Sequence, residues 1–173
     1  MRYVVLTVLV FLLLAVQAPV LQVLGLSAWS LDVGLLTVIY LATTSPRLPG
    51  FVTAAVIGFV VDSFTPGGVL GMYTEIMGIM YLVAMGLAAR VHLLRPLPLV
   101  IAAFVCSLVS TLLFFLFSIL FDRNFSQYSV VILWAAPHAL VTALLGPLLF
   151  RLLGVVDERL RGRRSADGGI LLR

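Results

Sequence analysis

Apolar residues run along this chain in long blocks separated by short clusters of turn-forming and charged residues. Six blocks emerge, Tyr3 to Gly25, Leu31 to Thr44, Gly50 to Phe64, Val69 to Val91, Leu97 to Phe121 and Ser129 to Leu153. Their separators carry turn chemistry: Ser27 to Ser30, Ser45-Pro46-Arg47-Leu48-Pro49, Thr65-Pro66-Gly67-Gly68, His92 to Pro96, and Asp122 to Gln127. A hydrocarbon core about 30 Å thick takes about 20 apolar residues to cross as helix. The pattern predicts an all-α membrane protein with about six transmembrane helices over 3–25, 31–44, 50–64, 69–91, 97–121 and 129–153. These form a membrane domain spanning 1–154, followed by a basic cytoplasmic tail over 155–173. The second and third blocks, about 14 and 15 residues long, give roughly 21–23 Å of helix. Either they sink among longer neighbours, or the pair is a re-entrant hairpin and only four segments cross fully.

Composition closes off the soluble alternative. Hydrophobic residues make up 62% of the chain and charged residues 10%, with a mean hydropathy of +1.21, against about 25% charged in soluble domains. Six crossings leave little chain for an attached catalytic module. The single Cys106 lies inside an apolar block, away from any Cys/His spacing of a metal or redox site, and reads as a packing residue. Met1-Arg2 followed by Tyr3 to Val16 resembles a secretory leader. However, the apolar run continues to Leu26, and Pro19 follows the only small-residue exit, so the segment reads as a retained first helix.

Charge orients the helices. With the N-terminus inside, every one of the eleven basic residues except Arg123 falls on the cytoplasmic side: Arg2, Arg47, Arg90, Arg95, Arg151, Arg159, Arg161, Arg163, Arg164 and Arg173. Both termini are then cytoplasmic. Trp29, Tyr73, Tyr128 and Trp134 fall near the outer boundary, where amphipathic rings prefer to sit. The pI of 9.8 reflects this topology and the tail residues Arg159, Arg161, Arg163 and Arg164, which suit anionic lipid. It does not point to a nucleic-acid surface.

Intramembrane acids are costly and therefore candidates for function. Asp32 opens the second helix, where its charge complements the helix dipole. Asp62 ends the third helix, and its carboxylate can accept from amides of the Ser63 to Gly68 turn or meet a partner. Glu75 shares a helical face with Gly71, Gly78, Gly86 and Ala89, which predicts a smooth, closely packed surface with the carboxyl buried against another helix, either in an internal hydrogen bond or at a cavity or partner contact. His138, after Pro137, is expected near the bilayer midplane, bonded to Ser107, Ser110 or Thr111 of the fifth helix. Pro19, Pro137 and Pro147 interrupt helix hydrogen bonding and can kink their helices. No Gly-rich phosphate loop, HExxH, GxSxG or hydrolase-type acid pair occurs, so the chain reads as no enzyme, with no catalytic, cofactor or metal residue.

Leu31-Asp32 opening a short helix, the stretch Gly58-Phe59-Val60-Val61-Asp62-Ser63-Phe64-Thr65-Pro66-Gly67-Gly68-Val69-Leu70-Gly71, and the final Gly146-Pro147-Leu148-Leu149-Phe150-Arg151-Leu152-Leu153 together resemble the rod shape-determining MreD family. The likeness spans about residues 1–161. Many relatives have proline where this chain has Leu31, and Glu75 is not a family signature. The resemblance implies a noncatalytic subunit of the bacterial cell-elongation complex, supporting lateral peptidoglycan synthesis. Its implied partners are an MreC-like bitopic protein and, indirectly, an MreB-like filament, a RodA-like polymerase and a class B penicillin-binding protein. The family is also similar to the six-helix substrate-binding subunits of energy-coupling-factor transporters, which implies an alternative role in vitamin-type uptake.

Overall fold

A computed structural model describes residues 2–23, 30–65, 71–91, 95–121 and 128–168, with side chains described in these ranges except at 18, 22, 128–134 and 161–168. Six helices follow one another: α1 (Arg2–Val23), α2 (Val33–Thr44), α3 (Arg47–Phe64), α4 (Met72–Ala88), α5 (Pro96–Phe121) and α6 (Tyr128–Gly168). Four contain stretches long and apolar enough to cross a membrane: Arg2–Leu21, Arg47–Phe64, Pro96–Phe121 and Ala135–Leu160. Helices α2 and α4 are shorter apolar helices.

The short α2 is the axis of the fold. Every residue from Val33 to Leu41 is buried, and the helix packs against all five others. Its 12 residues make about 18 Å of helix, which no lipid needs to cover because neighbouring helices do. α2 is enclosed by its neighbours, and α3, expected to be as short, is long and apolar enough to cross by itself. Around α2, the α3–α4 and α5–α6 hairpins form the walls and α1 packs against α2, α3 and α6. The outside is apolar: Val4, Val8, Phe59, Leu82, Leu112 and Leu148 are among many large side chains left exposed. A water-soluble protein does not present so continuous an apolar exterior, whereas lipid solvates it at no cost.

Glycine sets the closest approach. Gly58 of α3 lies against the backbone of α4, so that an added Cβ would overlap the Tyr73 carbonyl and come 2.6 Å from Thr74 Cα. Such contacts between small residues are how membrane helices gain packing energy without a hydrophobic driving force.

Helix α6 departs from the sequence reading. The membrane domain was expected to end near residue 154, with a polar tail beyond, yet the helix continues unbroken through Gly154 to Gly168. Asp157, assigned to that tail, is buried in the bundle. Pro137 and Pro147 both lie inside this helix, so each loses one hydrogen bond without ending it.

The helices alternate in direction, which defines two ends. Arg2, Thr44 and Asp157 meet at one, called the basal end. The start of α2, the end of α3 and the start of α4 lie toward the other, the distal end.

Candidate functional site

Two clusters of polar side chains join helices inside the bundle, one toward each end. At the distal end Asp62 closes the α3–α4 hairpin. One carboxylate oxygen, Oδ2, accepts from the Gly71 amide at 3.1 Å, the Thr74 amide at 3.2 Å and the Thr74 hydroxyl at 3.0 Å, while Oδ1 accepts from the Tyr73 amide at 3.0 Å. The first amides of α4 have no partner within their own helix, and Gly71, at its N-cap, has no side chain to supply one. Asp62 caps α4 from the neighbouring helix, and the α4 dipole favours its charge. The sequence reading placed these bonds at Ser63 to Gly68, whereas the recorded donors belong to Gly71, Tyr73 and Thr74. Residues 66–70 lie outside the described residues. Gly71 has φ of 98°, a left-handed conformation that favours glycine, and so is a cap residue and not part of a packed helix face.

Beside this cap is a cavity of about 270 Å³ whose polar lining comes from Gln17, Ser30, Asp32, Thr65, Tyr73 and His138. Asp32 caps α2 as expected from its place in the sequence, with Oδ1 accepting from the Leu35 amide at 2.8 Å. Its own amide donates to the Thr142 hydroxyl at 3.2 Å, and Gln17 donates to the Leu31 carbonyl at 2.8 Å. His138 and Thr142 are one turn apart on α6, so the same face of that helix brings an imidazole and a hydroxyl to Asp32. The expected hydroxyls of α5 are not what the imidazole meets: Thr111 bonds back to the Ser107 carbonyl, and His138 instead lies within electrostatic range of Asp32. Tyr73 lies within range of both Asp32 and Asp62, linking cavity and cap. About 28 Å of helix separates His138 from Asp157, so the cavity lies far along α6 from the basal cluster.

At the basal end Arg2 Nε pairs with Asp157 Oδ1 at 2.6 Å, and both side chains are largely withdrawn from solvent. The Tyr40 hydroxyl donates to Asp157 Oδ2 at 3.2 Å, and Arg2 donates to the Thr44 hydroxyl at 2.8 Å and its carbonyl at 3.2 Å. Phe150 packs edge-on against the Tyr40 ring. This cluster joins the start of α1, the end of α2 and the turn of α6 around Asp157. The sequence reading did not find it, since contact between residues 2 and 157 is invisible to local pattern; the acid among arginines in Asp157-Glu158-Arg159 was the only signal.

The face predicted for α4 is not the one that packs. Glu75, Gly86 and Ala89 are exposed, while Met72, Ile76, Met77, Met80, Tyr81 and Ala84 form the buried face. The apolar side chains outcompete the small-residue stripe because they bury more area. Gly78 alone of the stripe is packed, with the Phe51 ring 3.4 Å from where its Cβ would be. Of the tail residues, Arg159 is exposed, and the side chains of Arg161, Arg163 and Arg164 lie outside the described residues, as do Trp29 and the side chains of Tyr128 and Trp134.

The cavity holds groups that can bind or exchange protons with a small polar molecule or water. Among the described residues no three His, Cys, Asp or Glu side chains come together as a metal site. No family model, curated protein or solved structure matches this chain.

Proposed function

We propose that the chain is a noncatalytic scaffold of the bacterial cell-elongation complex, an MreD-like subunit working through an MreC-like single-span partner. The observation that carries this reading is the segment from Gly58 to Gly71. It bears the family resemblance, and its distinctive residues have demanding structural tasks: Gly58 admits the α4 backbone, Asp62 caps α4, and Gly71 takes a left-handed conformation. In this reading the basal end faces the cytoplasm, with the arginine-rich end of α6 beyond it.

A vitamin-type uptake subunit is the second reading, favoured by the polar cavity between Gln17, Asp32, Tyr73 and His138. Its volume of about 270 Å³ falls just under the roughly 300–1,000 Å³ typical of small-molecule sites, which ranks transport below scaffolding.

Depleting the chain from its native rod-shaped bacterium tests both. Rounding and swelling are expected. Rods of normal shape after complete depletion, with no second copy of the gene, would sink the scaffold reading, and a loss of vitamin uptake instead would establish the second.

A further inference from the structure

The distal cavity offers acceptors that its own donors do not use. Asp32 gives Oδ1 to the Leu35 amide, while Oδ2 bonds to no described residue and is not sealed in the core, so it opens on the cavity that Asp32 lines. Gln17 spends its amide N–H on the Leu31 carbonyl, which leaves Oε1 without a donor among the described residues. The Thr65 hydroxyl donates to the Val61 carbonyl at 3.1 Å and has only lone pairs left to offer. Acceptors from α1, the N-cap of α2 and the C-cap of α3 thus line one space, and donors for them must come from what fills it.

Charge narrows the class of occupant. Among the described residues no arginine lines the cavity, and the chain has no lysine. His138, within electrostatic range of Asp32, is the one described lining residue that can carry a positive charge, and it then no more than balances Asp32. Asp62, within range of Tyr73, is a second carboxylate nearby. An anion entering here meets carboxylates without a spare cation to offset its lost hydration. An ammonium instead brings three N–H donors and forms charge-assisted hydrogen bonds. Leu14, Leu21, Val61 and Phe64 complete the lining and suit an apolar body behind the charged group. Arg123, the basic residue that the sequence puts at this end, is in the α5–α6 connection and outside the described residues.

We propose that the distal cavity binds a small organic ammonium, whose N–H groups donate to Asp32 Oδ2 and Gln17 Oε1 while its apolar body lies against Leu14, Val61 and Phe64. The choice of site rests on the uptake reading, which also places a small molecule here, and the charge of the ligand follows from the lining.

Three probes of similar shape and different charge test it: benzylammonium, benzyl alcohol and benzoate, titrated calorimetrically into the purified full chain in detergent micelles. Benzylammonium should bind at least about tenfold tighter than either of the others, because it alone makes a charge-assisted bond to the carboxylate. Asp32→Asn keeps an acceptor for the Leu35 amide, and with it the cap, but removes the charge, so it should weaken benzylammonium at least about tenfold without shifting thermal unfolding of the unliganded chain. If Asp32→Asn does not fold, the ranking of the three probes on the wild type decides. Glu75→Gln, at an exposed acid outside the cavity, should leave the affinity unchanged, and an equal loss there would show binding to surface acids and overturn the site. Leu14→Trp fills the cavity from α1. Equal affinities for the three probes that Leu14→Trp abolishes overturn the charge class and leave the cavity a small-molecule site. Equal affinities that it does not change are partition into the micelle and overturn the site. Binding of benzylammonium to Arg123→Gln but not to the wild type shows that the chain's own arginine occupies the cavity, which overturns the proposal. Absence of binding by all three probes overturns it together with the use of the cavity that the uptake reading requires.

Discussion

Asp62 shows how a side chain at the end of one helix can serve the start of the next. Carboxylates disfavour helix C-termini, yet this one is stable at the end of α3 because its oxygens face the N-terminus of α4. Asp62→Ala leaves three amides and the Thr74 hydroxyl without their acceptor and should destabilise the folded chain by about 2–3 kcal/mol. Asp62→Asn keeps one acceptor oxygen and should cost less than half of that. Denaturant titration in detergent micelles measures both, and equal stability of Asp62→Ala and wild type would refute the cap. Glycine makes a second contrast at this scale. Gly58→Ala forces a methyl into the Tyr73–Thr74 backbone and should cost about 1–3 kcal/mol, while Gly86→Ala, with open space around it, should leave folding unchanged. Similar stabilities for the two variants would mean that α3 and α4 do not approach as closely as described.

Between elements, the Arg2–Asp157 pair ties α1 to α6 across almost the whole length of the sequence. Removing one member of a buried pair strands the other, so Arg2→Met or Asp157→Leu should each cost about 3 kcal/mol. The double variant Arg2→Met with Asp157→Leu should recover most of the loss, since two apolar side chains need no solvation at this depth. The bonds from Arg2 to Thr44 and from the Tyr40 hydroxyl to Asp157 are lost in the double variant too, so recovery should be incomplete. Thermal unfolding of the four proteins gives the coupling, and strictly additive losses would exclude a direct pair. The pair also explains why α6 does not stop near residue 154. Nothing breaks the helix at Gly154, and burial of Asp157 adds a tertiary contact one turn beyond the apolar run.

At the scale of the molecule, the arginine distribution and the folded contacts make the same demand. Arg2 can reach Asp157 only if the chain returns to its starting end, and the basic residues other than Arg123 are expected on that side. Reporter fusions after Arg95 and after Arg164 should both read cytoplasmic, and a fusion after Phe125 external. An external signal at Arg164 would overturn the orientation.

What was legible in the sequence is what depends on neighbours along the chain. Apolar block length sufficed for helical class and for approximate helix positions, because a backbone in lipid must satisfy its hydrogen bonds locally. The cap at Asp32 was legible for the same reason, its donor being three residues away. Which face of a helix turns inward was not. Inside a bilayer both faces are apolar, so periodicity cannot distinguish them, and the stripe through Glu75 was taken for the packed side when the larger side chains of α4 claim it. The central position of α2, the placing of His138 and Asp32 on one cavity and the pairing of Arg2 with Asp157 belong to tertiary structure alone. Each joins residues distant in sequence, and each is decided by which buried polar groups can reach a partner once the helices are packed.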